Sequence, residues 1–200
     1  EESRSYLGYE IEVHVIDDRR SHLIYEDRSV EITSLPLEHR APCVGYLFRE
    51  KVTERHIDRA SCDFYQVPRS YYVALREGAD FTTEEGQVIP NHRLTRQGRK
   101  ARSYAYCSDT AYAPSLVPLI QGVDLLYHEA TFSRERSERA KVTAHSTAEQ
   151  AALIAQASGV GRLLIGHYSA RYLDATPLLR EAQEVFPETL ASDEGMIIDL

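Results

Sequence analysis

Three short apolar runs in the second half of the chain each end on ionisable side chains: AYCSD on Asp109, LLYHE on His128 and Glu129, and LLIGH on His167. A further histidine, His145, precedes a helix-like stretch between the last two runs. An ionisable group buried at a strand end costs free energy unless it is paired or bound to a metal. Three in succession therefore predict one polar, metal-dependent site. A carboxylate such as Asp109 can bridge two cations about 3.5 to 4 Å apart, while neutral imidazoles of His39 and His167 each complete one shell. Aspartate with histidines suits zinc or manganese. Each residue also has a plainer role open to it. Asp109 can cap a helix beginning near Tyr112, His39 can be a loop histidine and His128 a satisfied core histidine. Glu129 can form a strand-end salt bridge, and His145 can face solvent before a cap.

Those side chains need elements to position them. Leu163, Leu164 and Ile165 form a run too short and too uniformly apolar for a surface strand, and read as a central strand buried on both faces. From Ser103 onward strands and helices alternate regularly, which predicts parallel βα units. In such sheets ligands gather at the carboxyl ends of the strands, where Asp109, Glu129 and His167 emerge. Ser146 and Glu149 have capping-box spacing, an apolar stretch follows from Ala151 to Ala157, and Gly159 supplies the stop, with the cap contributing about 1 kcal/mol. His145 is thereby fixed before a helix N-terminus, a position that favours an anion such as a phosphate. A final helix is expected over 176–185 and a closing strand over 196–200.

Upstream, the alternation of Ile11, Val13 and Val15 predicts a half-buried first strand. Further strands are expected around Leu23 to Tyr25, Val30 to Leu35 and Cys43 to Phe48, with His39 in a bend and Gly45 marking a close backbone approach. Between Arg49 and Arg102 charges and turn residues dominate, with a helix expected from Pro68 to Arg76 and a hairpin-like turn at Glu84 to Gln87. The division is thus a core portion over 1–49, an inserted segment over 50–102 and a core portion over 103–200.

At 200 residues the chain fits one α/β domain or most of one. No apolar run is long enough to span a bilayer, so no membrane role is expected. Cys43, Cys62 and Cys107 are odd in number and lack CxxC spacing, which points to a reduced cytosolic compartment. The net charge of −8 argues against nucleic-acid binding by the whole surface. Yet Arg93, Arg96, Arg99, Lys100 and Arg102 lie close together with no acid among them, and such an arm can grip phosphates. The same run also fits a solvated surface loop. The chain opens EESRSYLGYE without an initiator methionine or a signal-peptide pattern, which suggests part of a longer protein.

SDT at 108–110, HEATF at 128–132, AHST at 144–147 and GHYSARY at 166–172 resemble, in order and spacing, motifs of the ribonuclease Z family. Those proteins are transfer RNA 3′-end processing endonucleases of the metallo-β-lactamase fold. LEHRAPCVGYLF at 37–48 looks like the family's upstream metal-histidine stretch, so the resemblance spans residues 37–172. It implies an α/β fold of the αββα sandwich type and two zinc ions, with manganese as the alternative. His39, Asp109 and His167 match zinc ligands, with Asp109 bridging. His145 and Glu129 match an acid/base or transition-state-positioning pair, and Arg171 a contact to a phosphate oxygen. The segment 50–102 sits where bacterial members carry the arm that holds the transfer RNA body, making Arg96, Arg99 and Lys100 candidate substrate contacts. A cytoplasmic homodimer, with one subunit's arm serving the other's site, is implied as well.

One departure matters. The family's HxHxDH motif, with most remaining ligands and the main catalytic aspartate, is missing: the eight histidines stand at 14, 22, 39, 56, 92, 128, 145 and 167. The expectation is an incomplete sandwich whose N-terminal part is absent, inactive on its own. The complete protein would cleave precursor transfer RNA and leave a 3′-hydroxyl. The alternatives are a small-molecule phosphodiesterase or hydrolase of the same superfamily, and a noncatalytic RNA-binding subunit.

Overall fold

The computed structural model of the protein describes residues 9–200. Strands β1 (Leu23–Glu26), β2 (Val30–Pro36) and β3 (Val44–Glu50) form an antiparallel meander. Gly45 is placed as expected: a Cβ there would lie 2.5 Å from the carbonyl oxygen of Tyr106 on the neighbouring strand. Ile11, Val13 and Val15 make no strand and are exposed. Alternation becomes a strand only when another strand receives it, and β1 remains the edge of the sheet.

The chain then leaves the sheet. It forms β4 (His56–Ile57), α1 (Arg59–Phe64), a 3-10 turn at Arg69–Tyr71, α2 (Tyr72–Arg76), β5 (Phe81–Thr82), β6 (Val88–Ile89), α3 (Asn91–Leu94) and β7 (Thr95–Arg96). The helix expected over 68–76 is this 3-10 turn running into α2, and β5 and β6 form the expected hairpin. Cys62, Val67, Leu75, Ile89 and Leu94 make a buried cluster of their own, separate from the main core.

The excursion ends where it began. β8 (Ser103–Cys107) pairs antiparallel with β3, Arg49 lies opposite Ser103, and the Glu50 N–H donates to the Arg102 carbonyl at 2.9 Å. The Arg102 guanidinium also pairs with Glu50, and its hydrogen bonds hold that carboxyl down at about 2. Residues 51–102 are thus inserted between two adjacent, hydrogen-bonded strands.

From β8 the chain runs through a 3-10 turn (Pro114–Leu116), β9 (Leu125–Glu129), α4 (Ser137–Thr143), α5 (Ala148–Ser158), β10 (Arg162–Gly166), α6 (Thr176–Val185) and β11 (Thr189–Ala191). The main sheet has seven strands in the order β1-β2-β3-β8-β9-β10-β11, and its last four strands are parallel. α6 spans the expected residues. The strand expected over 196–200 does not form, because Thr189–Ala191 already occupies the place beside β10.

One sheet face is closed by helices. Leu35, Leu47, Ala105, Cys107, Leu126, Leu163 and Ile165 pack there against Leu116 and Ile120, against Ala151, Ala152 and Ile154 of α5, and against Leu178 of α6. Burial pushes the Cys107 thiol up to about 12, leaving an inert core side chain. The other face carries aromatics that are half-buried or, for Tyr106, exposed: Tyr106 stacks on Tyr127 at 4.8 Å, and Phe48 on Tyr104 at 5.9 Å.

The cap of α5 falls one residue later than Ser146. Thr147 is the N-cap, accepting from the Gln150 N–H at 3.1 Å while the Gln150 side chain accepts from the Thr147 N–H at 2.9 Å. Ser146 is drawn away by the site, as described next. Gly159 ends the helix in the left-handed conformation, as its position predicted.

Candidate active site

The parallel register sets β8, β9 and β10 to end at one edge: Cys107 lies opposite His128, and Gly166 opposite Glu129. Asp109 follows β8, Glu129 closes β9 and His167 follows β10. Ligand atoms of Asp109, Glu129, His145 and His167 all lie within 4.8 Å of one another. The His145 ring is 5.3 Å from that of His167 and 5.0 Å from that of His39. His39 thus joins the group through His145.

Glu129 is the fixed point. It is fully buried, and its two oxygens accept four hydrogen bonds. Oε1 takes the Thr110 N–H at 2.6 Å and His145 Nδ1 at 2.8 Å; Oε2 takes the Thr131 hydroxyl at 2.6 Å and the Ser146 N–H at 3.0 Å. A carboxylate offers about four acceptor positions, so little capacity remains for a metal. Its role is to hold His145, whose Nδ1 proton points at the carboxylate and whose Nε2 is thereby left as the working atom.

Asp109 and His167 differ in kind. Their side chains are 44 and 41 % exposed, against none for Glu129, and Asp109 Oδ1 lies 3.2 Å from His167 Nε2. Both have left-handed backbones, φ 57° and 59°, a conformation that costs a non-glycine residue about 1 kcal/mol or more. Asp109 caps no helix: the next regular element is the 3-10 turn at Pro114, whose N-cap is Ala113.

Proton placement supports a cation here. His39 Nδ1 donates to the Ala144 carbonyl at 2.9 Å, and Ala144, at φ 58°, is the left-handed cap of α4. A carbonyl can only accept, so in a neutral His39 ring Nε2 keeps its lone pair. A neutral His167 placed the same way would set a ring lone pair against a carboxylate oxygen. Two electron-pair donors at that separation fit a shared cation, and aspartate with imidazoles is a donor set for a divalent transition metal.

Other residues are placed as follows. The exposed Arg171 guanidinium lies 5.7 Å over the Phe132 ring, whose edge meets His145 at 6.4 Å, so Arg171 stands at the rim. His128 is a buried core histidine donating from Nδ1 to the Glu129 carbonyl at 2.8 Å; its Nε2 has no partner among the described residues, and burial lowers its pKa. The Cys43 thiol, near Asp109, is pushed up by burial and by the charges of Asp109 and Glu129, so it remains a thiol.

The basic run is not at this edge. Lys100 Nζ is 2.7 Å from Asp124, which precedes β9, whereas Glu129 ends that strand; five residues separate them by roughly 16 Å. Arg96 pairs with Asp58 inside the inserted segment at 3.2 Å, and the Arg99 carbonyl accepts from Thr53 at 3.2 Å.

Sequence reasoning missed Thr110, Thr131, Ser146 and Ala144. Each sits within or beside a quoted motif, yet nothing in SDT, HEATF or HST says which hydroxyl or N–H turns towards Glu129. Thr110 also ties in the His39 loop, accepting from the Glu38 N–H at 3.1 Å, while Ser146 Oγ donates to the Thr110 carbonyl at 2.8 Å.

No family model matches the chain. Curated relatives do. Ribonuclease Z of Porphyromonas gingivalis strain W83 is 56 % identical over 194 residues, covering 97 % of this chain and 64 % of that protein. Over its matched residues the chain is thus similar to ribonuclease Z. Ribonuclease Z of Parabacteroides distasonis is also 56 % identical, over 190 residues, covering 95 % of this chain and 62 % of that protein. Ribonuclease Z of Bacteroides thetaiotaomicron is 52 % identical, covering 97 and 61 %. The chain spans less than two thirds of the length of these relatives.

Solved structures agree on the fold. The metallo-β-lactamase fold protein YhfI from Bacillus subtilis matches with a TM-score of 0.57 at 18 % identity, covering 92 % of this chain and 54 % of that one. Human tRNase Z, short form, matches with a TM-score of 0.53 at 22 % identity, covering 90 and 46 %. The fold is that of the metallo-β-lactamase proteins, as expected for a ribonuclease Z homologue.

Proposed function

We propose that the complete protein is a metal-dependent endoribonuclease that hydrolyses precursor transfer RNA at its 3′ end, leaving a 3′-hydroxyl on the transfer RNA. The observation that carries this reading is a Glu129–His145 pair, with Glu129 fully buried, set against the more open Asp109–His167 pair at one strand edge. The ribonuclease Z relatives supply the substrate class.

In this reading His39, Asp109 and His167 hold cations, taken to be two zinc ions with manganese as the alternative. Bound there, such ions would supply Lewis acidity to a water and to the phosphate oxygens. Glu129 keeps the Nδ1 proton of His145 in place and stabilises the ring when it is charged. His145 then gives its Nε2 proton to the departing 3′-oxygen as the bond from phosphorus to that oxygen breaks, while the phosphate stays with the trailer. Arg171, anchored on Phe132, meets a phosphate oxygen at the rim.

The inserted segment is the arm for the transfer RNA body, with Arg96, Arg99 and Lys100 as phosphate contacts. Since Lys100 is held at the far end of β9 from Glu129, these residues would serve a neighbouring subunit's site. That supports a homodimer. Among the described residues no helix is long and apolar enough to cross a membrane. We assign the protein to the cytoplasm.

Replacing residues 51–102 in the complete protein with a short turn tests the substrate class. Because Glu50 and Arg102 are hydrogen-bonded neighbours, the sheet should survive the excision. Cleavage of precursor transfer RNA should then be lost while hydrolysis of a chromogenic phosphodiester persists. Equal loss of both in a folded variant would count against an RNA-docking arm.

A further inference from the structure

Thr131 lies where the Glu129–His145 pair meets the proposed ligands. Its Oγ1 is 2.6 Å from Glu129 Oε2, 2.9 Å from His167 Nδ1 and 3.0 Å from the His167 carbonyl oxygen. A threonine hydroxyl has one proton to give and two lone pairs to receive with. Of the three neighbours the carboxylate oxygen is both the nearest and the charged one, so the proton goes to Glu129. Oγ1 is then an acceptor towards His167, and His167 Nδ1 must carry a proton. In a neutral ring Nε2 is left with its lone pair, facing Asp109 Oδ1 at 3.2 Å.

The backbone works to the same end. His167 holds a left-handed φ of 59°, and the Ser169 N–H donates to the Thr131 carbonyl at 3.2 Å. Main chain and side chain of Thr131 thus grip the turn that follows β10. Thr131 is only 6 % exposed, so water does not readily replace its hydroxyl.

We propose that Thr131 is a positioning residue that fixes the ring orientation and tautomer of His167 for cation binding and ties this ligand to the Glu129–His145 pair. The proposal rests on the reading of His167 as a ligand. Outer-sphere partners of this kind change metal affinity by about 10- to 100-fold when removed. Valine has the shape of threonine without the hydroxyl, and Thr131→Val would strand His167 Nδ1 while leaving Glu129 Oε2 with the Ser146 N–H alone. Thr131→Ser restores the hydroxyl.

The test uses the complete protein. Long-range nitrogen–proton NMR correlations of His167 in the cation-free wild type should show the proton on Nδ1. This measurement needs no variant, so it stands even if Thr131→Val does not fold. Zinc affinity, measured with zinc alone against a competing chelator, should fall about 10- to 100-fold in Thr131→Val and return towards wild type in Thr131→Ser. A neutral His167 ring protonated on Nε2 instead of Nδ1 in the wild type, or wild-type zinc affinity in Thr131→Val, overturns the proposal. His167→Ala separates the two readings. If it binds zinc like the wild type, the ligand assignment itself fails, and Thr131's role with it. If it loses zinc while Thr131→Val retains it, only the role of Thr131 fails.

Discussion

Glu129 Oε1 lies 2.8 Å from His145 Nδ1, although the two residues are 16 positions apart and stand on different elements. The pair meets because β9 ends at Glu129 while α4 closes at Ala144 in a left-handed cap that turns the chain back over the strand end. Groups that act as a unit lose activity as a unit. Glu129→Gln and His145→Ala should each slow cleavage by about 10² to 10⁴, mainly in kcat, and the double variant should be little worse than the poorer single one. Single-turnover rates with saturating enzyme would show this. Losses that multiply would mean that the two residues act independently.

Thr147, not Ser146, caps α5, so Thr147→Ala should cost about 1 kcal/mol of stability in urea titration while leaving the cleavage rate near wild type. Ser146→Ala acts elsewhere, removing the hydroxyl that bonds the Thr110 carbonyl. If instead Ser146→Ala alone shortened the helix, the cap would sit where the spacing of Ser146 and Glu149 first suggested.

His128 gives the pH dependence its sign. Burial lowers its pKa below the value near 6.5 that it has in the unfolded chain. The unfolded chain therefore takes up a proton that the folded one refuses, and the stability His128 contributes is present above about pH 6.5 and lost as pH falls towards its folded value. Urea midpoints at pH 7.5 and 5.5 should differ more for the wild type than for His128→Gln. Equal differences would mean that His128 finds a partner for its proton on folding.

Arg96, Arg99 and Lys100 should act through phosphates. Replacing all three with alanine should flatten the plot of log affinity for precursor transfer RNA against log salt. Lys100 and Arg96 already pair with Asp124 and Asp58, which lowers the expected change below that of three free cations. An unchanged slope would reassign the run to solubility.

The gathering of Asp109, Glu129 and His167 was legible because each stands at the end of an apolar run, although only Glu129 is buried there. Asp109, Glu129 and His167 at the ends of apolar runs could be read as one edge of a parallel sheet, and the sheet has them there. Short-range cues also served: Gly159 ends α5 and Gly45 marks the crossing with Tyr106. Other features depended on partners that no local pattern specifies. Ile11, Val13 and Val15 alternate but meet no strand, and Met196–Leu200 is apolar but finds its place beside β10 taken by Thr189–Ala191. The left-handed backbones of Asp109, Ala144 and His167 are conformations that single-residue preferences disfavour and do not reveal. The separation of the basic run from the site depended likewise on Lys100 meeting Asp124.

In the proposed function, cutting precursor transfer RNA depends on a cation held by Asp109 and His167. This dependence is tested most directly by measuring bound cation and precursor transfer RNA cleavage on the same samples of the complete protein, as wild type, Asp109→Ala and His167→Ala. Both variants should lose bound cation and slow cleavage by roughly a thousandfold or more while remaining folded. Wild-type cleavage by either variant, or wild-type enzyme whose rate is untouched by a chelator that strips its cation, would contradict it.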